Sequence, residues 1–196
     1  MRYQQIFDAS EFSSLTAAGG GWIRYFSFRL DAADIGDFQR GVGDVQINLS
    51  TTSRFPDGLS TVFAENIGAD QRVVFTGDAI LVMGREPGPG NTLAFGYPIY
   101  VDPFFYDPSQ GNLLLDIQIF SEGPILLPSD MDSSRVLGDS ISRVVGNVNA
   151  SSGFTVDTEG LVTRFFVEPI PEPGILELLG VGTGIGTLVY RARRRR

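Results

Sequence analysis

Two short segments alternate between apolar and polar residues, and this period of two constrains the fold more than any other feature of the sequence. Val45–Ser50 is apolar at every odd position and polar at every even one. Leu113–Ile119 has Leu or Ile at its odd positions, with Asp116 and Gln118 between them. Because successive side chains of a strand point to opposite faces, both segments are predicted to be half-buried strands. No apolar stripe at helical spacing occurs before Pro173, which predicts an all-β body.

Frequent turns divide the rest of the body into further short strands. The chain has 24 Gly and 11 Pro, which fall singly between runs rich in β-branched and aromatic residues. About nine or ten strands at such spacings favour an antiparallel β-sandwich of two sheets, jelly-roll-like, over a barrel. The other predicted strands are Trp22–Leu30, Leu59–Asn66, Arg72–Thr76, Ala79–Met83 and Leu93–Val101, with two or three more between Ser134 and Val167.

Local patterns set the faces and the boundaries of these strands. Gly77 and Asp78 are typical of a hairpin turn between two strands. The polar stretches Asp31–Asp44 and Asp102–Asn112 are predicted to be loops. Within the first strand, four residues of one parity are predicted to face the core together: Trp22, Phe26, Phe28 and Leu30.

Missing residue types and the charge balance exclude several functions. The chain has no Cys and no His, which excludes disulfides, thiolate metal sites and most Ser-based or Cys-based hydrolases. All 15 basic residues are Arg, so a Lys base is missing too. Up to residue 170 the chain carries 10 Arg against 21 Asp and Glu, and such an acidic body repels nucleic acid. We therefore expect no nucleic-acid partner.

Three elements follow one another at the C-terminal end. Pro171, Glu172 and Pro173 form an extended motif, because proline disfavours helix here. Gly174–Tyr190, interrupted only by the charge of Glu177, would span roughly 25 Å as a helix, close to a bilayer core of about 30 Å. By the positive-inside rule, the arginines that follow are predicted to lie in the cytoplasm. They are Arg191, Arg193, Arg194, Arg195 and Arg196.

These three elements, in this order, resemble the PEP-CTERM sorting signal. The segments RYQQIFDASEF, WIRYFSFRLDA and FFYDPSQGNLLLD also resemble parts of β-rich surface proteins that carry this signal. The resemblance implies an exported protein that passes through an inner-membrane intermediate and is processed by an exosortase-type membrane protease. It would then reach the cell surface or the extracellular space, with exopolysaccharide as a potential partner. Because the first 12 residues contain no signal peptide, export leads us to expect a leader upstream of Met1.

The predicted organisation follows from the body and the tail together. Residues 1–168 form the β-sandwich, residues 169–173 a linker with the Pro-Glu-Pro motif, residues 174–190 a single transmembrane helix, and residues 191–196 the cytoplasmic arginine cluster.

Two groups of residues in the body are candidate binding sites. Aromatic rings and carboxylates could form a sugar platform, although the same residues would also suit the packing of a proline-bounded corner. They are Tyr97, Tyr100, Asp102, Tyr106 and Asp107. Asp31, Asp34 and Asp37 could supply oxygens to Ca²⁺, although ordinary surface acidity is the simpler explanation for them, and no other cofactor is predicted.

Three functions from different classes fit these observations. The first is a non-catalytic structural or interaction protein of the cell surface or extracellular matrix. The second is a carbohydrate-binding module for exopolysaccharide. The third is a β-sandwich glycoside hydrolase, which would need a pair of carboxylates at a suitable separation, such as Asp102 and Asp107.

Overall fold

A computed structural model describes residues 1–32, 38–83, 87–89, 92–121 and 131–170. Helix in these residues is limited to one short α-helical turn at Ser13–Thr16 and 3₁₀ turns at Ala9–Phe12, Phe63–Asn66 and Pro108–Gln110. The strands are β1 (Arg2–Phe7), β2 (Gly21–Phe28), β3 (Phe38–Thr52), β4 (Arg72–Met83), β5 (Ile99–Tyr106), β6 (Asn112–Ile119), β7 (Ser133–Ser134), β8 (Ile141–Gly146), β9 (Thr155–Asp157), β10 (Gly160–Leu161) and β11 (Thr163–Pro169). The prediction of a mostly β body is confirmed.

The strands form two larger sheets and one small one, and their pairings are antiparallel. Six strands pair in the order β4-β3-β6-β1-β8-β9, three pair in the order β11-β2-β5, and β10 pairs with β7. The two alternating segments lie in β3 and β6, which are neighbours, so both strand predictions are confirmed. Leu49 lies opposite Leu115 and Val45 opposite Ile119, so the apolar faces of the two strands coincide.

One hydrophobic cluster draws its members from both larger sheets. Leu49 and Leu115 enter it from the six-stranded sheet, and Phe26 and Phe104 from the three-stranded sheet. All four side chains are at most 2% exposed. Burying a large apolar side chain stabilises a fold by about 1.5–3 kcal/mol, so this shared cluster is the main attraction between the two sheets.

The second face of the six-stranded sheet is covered as well. A smaller cluster there contains Ile6, Leu59, Phe63, Leu114 and Val144. The polar face predicted for β6 is therefore buried, and its Asp116 is only 1% exposed. This carboxylate is compensated by a bidentate ion pair with Arg2.

A bulge at Arg24 reverses the predicted face of the N-terminal half of β2. Against β11, Ile23 pairs with Val167 and Tyr25 pairs with Phe166, so Arg24 has no opposite residue. An extra residue turns every side chain on one side of it to the other face. The prediction that Trp22 shares the core face with Phe26 is wrong, since Trp22 is 37% exposed and Ile23 is buried in its place.

Three predicted boundaries around β3 and β4 are wrong. β4 runs unbroken through Gly77 and Asp78, so these residues form no hairpin turn. They lie at an irregularity in the pairing with β3, where the Asp78 carboxylate accepts a hydrogen bond from the Asp44 N–H at 3.0 Å. The predicted loop before Asp44 is accordingly strand from Phe38 onward. Leu59–Asn66, predicted to be a strand, instead ends in a 3₁₀ turn whose Asn66 side chain binds the backbone of Ser60.

The strand predicted over Leu93–Val101 is displaced along the sequence. β5 begins at Ile99 and continues to Tyr106, so it includes the first part of the predicted loop Asp102–Asn112. The donor-free Pro98 lies just before the strand and not within it.

Several predicted features fall outside the described residues. They are the Pro-Glu-Pro motif, the apolar span and the arginine cluster, all within 171–196, together with Asp34 and Asp37 of the proposed calcium site. No helix in the described ranges has the length and apolar character needed to cross a bilayer.

Candidate functional site

The outer face of the three-stranded sheet carries a group of aromatic side chains that we call the aromatic face. Tyr100 is 68% exposed, Phe166 is 47% exposed and Trp22 is 37% exposed, whereas Tyr25 and Phe105 are half-buried. Exposed aromatic clusters on a soluble domain are characteristic of binding surfaces. The aromatic face consists of Trp22, Tyr25, Tyr100, Phe105 and Phe166.

The bulge at Arg24 creates this face. Without it, Trp22 would lie on the core side together with Phe26. With it, Trp22 and Tyr25 both point outward on either side of Arg24, whose guanidinium pairs with Glu168 at 2.7 Å. This exposed ion pair adds little to stability, but it cancels the positive charge between the two groups of rings.

The rings hold one another across neighbouring strands. Trp22 packs against Phe105 with centroids 5.3 Å apart and planes at 61°. Tyr25 stacks on Phe166 at 4.7 Å with planes 2° apart, and Tyr100 leans on Tyr25 at 5.3 Å. Such pairs contribute about 0.5–1.5 kcal/mol each beyond burial, so the rings form a fixed surface.

A cleft of about 380 Å³ opens beside the aromatic face. Phe105 forms part of its wall and so joins the cleft to the Trp22–Phe105 pair. The cleft is wide open to solvent, so it would contact one side of a ligand and not enclose it. The cleft is lined by Thr51, Ala69, Asp70, Phe105, Asp107 and Gln110.

Backbone hydrogen bonds fix both carboxylates of the cleft. The Asp70 carboxylate accepts from the Thr51 N–H at 2.7 Å. The Asp107 carboxylate accepts from the Ser109 N–H at 2.9 Å and thereby caps the 3₁₀ turn Pro108–Gln110. The Gln110 side-chain amide also donates to the Asp107 carboxylate at 3.5 Å, and because each carboxylate has about four acceptor positions, further positions remain for a ligand.

The ionisation state of Asp107 suits hydrogen-bond acceptance and not acid catalysis. Hydrogen bonds from the Ser109 hydroxyl and backbone N–H lower the pKa of Asp107. A glycosidase general acid needs a raised pKa so that it remains protonated at working pH. The lowered pKa of Asp107 thus favours hydrogen-bond acceptance over proton donation.

The structure does not bring the residues of the predicted sugar platform together in one site. Tyr100 lies on the aromatic face and Asp107 lies in the cleft, while Tyr97 is 73% exposed ahead of β5. Asp102 is exposed on β5. Tyr106 is 0% exposed and donates a hydrogen bond to the Gly111 carbonyl at 2.8 Å, so its assignment to a ligand-contacting surface is corrected to the core.

A second irregularity, within β5, explains why Tyr106 is buried. Val101 and Phe104 both pack against the core although they are three residues apart, so the strand changes parity between them. Tyr100 and Tyr106, six residues apart, therefore lie on opposite faces of the sheet. Burial also raises the pKa of Tyr106, as expected for a hydroxyl removed from water.

Most residues of the site were not predicted from the sequence as ligand contacts. On the aromatic face they are Trp22, Tyr25, Phe105 and Phe166, and in the cleft Thr51, Ala69, Asp70 and Gln110. The alternation in Trp22–Leu30 predicted that Trp22 faces the core, and no local signal marks the bulge at Arg24 that turns it outward.

Comparison with family models, with curated proteins and with solved structures gave no significant match to the chain.

Proposed function

We propose that the protein is a non-catalytic surface or extracellular-matrix protein whose β-rich body binds a ligand and whose C-terminal segment is a PEP-CTERM sorting signal. The order of the Pro-Glu-Pro motif, the apolar segment and the arginines supports the sorting role. An exosortase-type membrane protease is the processing partner in this proposal. The membrane-bound form is an intermediate with the arginines in the cytoplasm.

The proposed architecture of the body is an antiparallel, jelly-roll-like β-sandwich followed by one apolar helix. The shared hydrophobic cluster between the six-stranded and three-stranded sheets supports the sandwich. Two sheets that bury their inner faces against each other are the usual arrangement of such domains, and here the outer face of the six-stranded sheet is covered as well.

The mass of the mature protein tests the sorting role. In the native host, we expect the surface-located form to lack the arginines up to Arg196, because cleavage by an exosortase-type protease would remove the span and the arginine cluster. Intact-mass spectrometry of surface and membrane fractions measures this. A surface-located form that retains Arg196 would contradict the proposal, and a Pro171→Ala/Pro173→Ala variant should accumulate in the membrane fraction if the motif is read.

The ligand that the site favours is a polysaccharide. The observation that carries this choice is the continuity of the Trp22–Phe105 pair with a cleft that holds Asp70 and Asp107. Sugar rings have apolar faces that pack on aromatic rings and hydroxyl rims that donate to carboxylates, so both halves of the site have a counterpart on one ligand.

Loss of the aromatic pair should weaken binding strongly without unfolding the protein. For Trp22→Ala/Phe105→Ala we expect at least a roughly tenfold loss of glycan-array signal, the effect of about 1.4 kcal/mol of lost contact. Phe154→Ala is the matched control, because Phe154 is a 72% exposed aromatic residue outside the aromatic face. An equal signal for the wild type and the double variant, with both folded by circular dichroism, would contradict this assignment.

A further inference from the structure

We propose that the polysaccharide recognised by this site is uncharged, and that Asp70 and Asp107 select it over acidic polysaccharides. This inference rests on the proposed polysaccharide-binding function and adds the chemical class of the ligand. Three properties of the site support it: the form of its apolar wall, the type of its polar groups and its charge.

The apolar wall suits a ring that lies along the sheet at the mouth of the cleft. Phe105 lines the cleft on one side and contacts Trp22 on the other, so the two rings extend the wall out of the cleft. The Tyr25–Phe166 pair is less available for stacking because its rings cover each other's faces at 4.7 Å. A ligand that packs on the Trp22–Phe105 end of the aromatic face can therefore also reach the polar groups of the cleft.

The polar groups of the cleft are mainly acceptors. Asp70 and Asp107 accept hydrogen bonds only, and Gln110 and Thr51 add groups that can both donate and accept. Sugar hydroxyls can donate to these carboxylates, and bonds to a charged acceptor are about twice as strong as neutral ones. Both carboxylates are already oriented by the backbone, so little ordering accompanies binding.

The charge of the site opposes an acidic ligand. Two arginines lie close in sequence to residues of the cleft: Arg72, whose side chain reaches the Pro103 carbonyl at 3.5 Å, and Arg54, which pairs with Glu65 at 3.1 Å. Arg24 on the adjoining face is paired with Glu168. Arg54 and Arg24 are thus paired with other carboxylates and Arg72 with a backbone carbonyl, so the two carboxylates of the cleft leave an excess of negative charge, and the whole chain has a net charge of −8. Carboxylated or sulfated polysaccharides are repelled by this field.

Matched pairs of polysaccharides test the inference. The full-length chain in a neutral detergent is run by affinity electrophoresis through hydroxyethylcellulose, guar galactomannan or dextran, and through the carboxymethylated form of each. We expect retardation by at least one neutral polysaccharide, with affinity for its carboxymethylated form at least tenfold lower. An acidic reference protein that binds none of these polysaccharides is run in each gel, and its migration corrects for the effect of the gel's charge.

The variant Asp70→Asn/Asp107→Asn separates charge from shape. Asparagine can still accept the Thr51 and Ser109 N–H groups, so the loop and the 3₁₀ turn keep their caps. We expect neutral binding to fall about tenfold and the preference for the neutral form over the carboxymethylated form to shrink, since the repulsive charge is gone.

Each outcome has a distinct meaning. Equal or stronger retardation by the carboxymethylated forms would overturn the uncharged ligand and leave polysaccharide binding standing. An unchanged neutral preference in the Asn variant would overturn the role of the two carboxylates. No retardation in any gel would overturn the polysaccharide-binding function together with this inference.

Discussion

Replacing Arg143 with Ala should lower the free energy of unfolding by about 3–5 kcal/mol, the usual cost of removing one member of a buried ion pair. Arg143 is 8% exposed on β8 and binds Asp157 through Nε at 2.9 Å. Its Nη2 also binds Glu159, which is 6% exposed. Truncation would leave Asp157 without this partner and leave Glu159 with only the exposed Arg135 as an ionic partner, beside a void. Denaturant unfolding followed by circular dichroism measures the effect.

Arg135 offers a matched control for this prediction. It pairs with the same Glu159 carboxylate at 3.1 Å, but its side chain is 70% exposed. Exposed ion pairs contribute about 0–1 kcal/mol, so Arg135→Ala should lose no more than that. Equal losses for Arg135→Ala and Arg143→Ala would show that the burial of Arg143 does not decide its contribution.

The ion pair matters because it fixes a segment that passes between sheets. Glu159 lies directly before β10, and the Leu161 N–H in β10 donates to the Gln5 side chain at 2.8 Å. β10 then leads into β11, the edge strand of the three-stranded sheet. We therefore expect Arg143→Ala to loosen the aromatic face as well, which hydrogen exchange at Phe166 would detect.

Phe26→Ala should cost about 3–5 kcal/mol, because it removes a fully buried ring and leaves a cavity. Phe26 is 0% exposed and packs against Phe28 and Phe165 with centroids 5.5 Å and 5.8 Å away. Trp22→Ala should cost only about 1 kcal/mol, since Trp22 loses mainly its contact with Phe105. Denaturant midpoints with unchanged slopes would measure both losses.

This pair of variants tests the bulge at Arg24. A regular strand would place Trp22 and Phe26 on one face, and both truncations would then be severe. Comparable losses would contradict the bulge and with it the aromatic face. A folded Trp22→Ala protein that has lost polysaccharide binding would support both the fold and the proposed site.

The sequence alone predicted the central strands of the body. β3 and β6 were recognisable because alternation is a local property, and each segment carries a complete apolar face in its own residues. The mostly β character of the rest of the body was predicted from the spacing of turn residues. The sorting role of residues 171–196 also comes from sequence order, and it remains a prediction that the experiments on the mature protein address.

Only the tertiary structure decided which side chains form the candidate site. Trp22 reaches the surface, and Tyr106 leaves it, because bulges in β2 and β5 change the parity of each strand. A bulge depends on the register with partner strands, and the partners of Ile23 are the distant residues Val167 and Phe104. Local alternation carries no information about such pairing, so it determines that a strand has two faces but not which of them meets water.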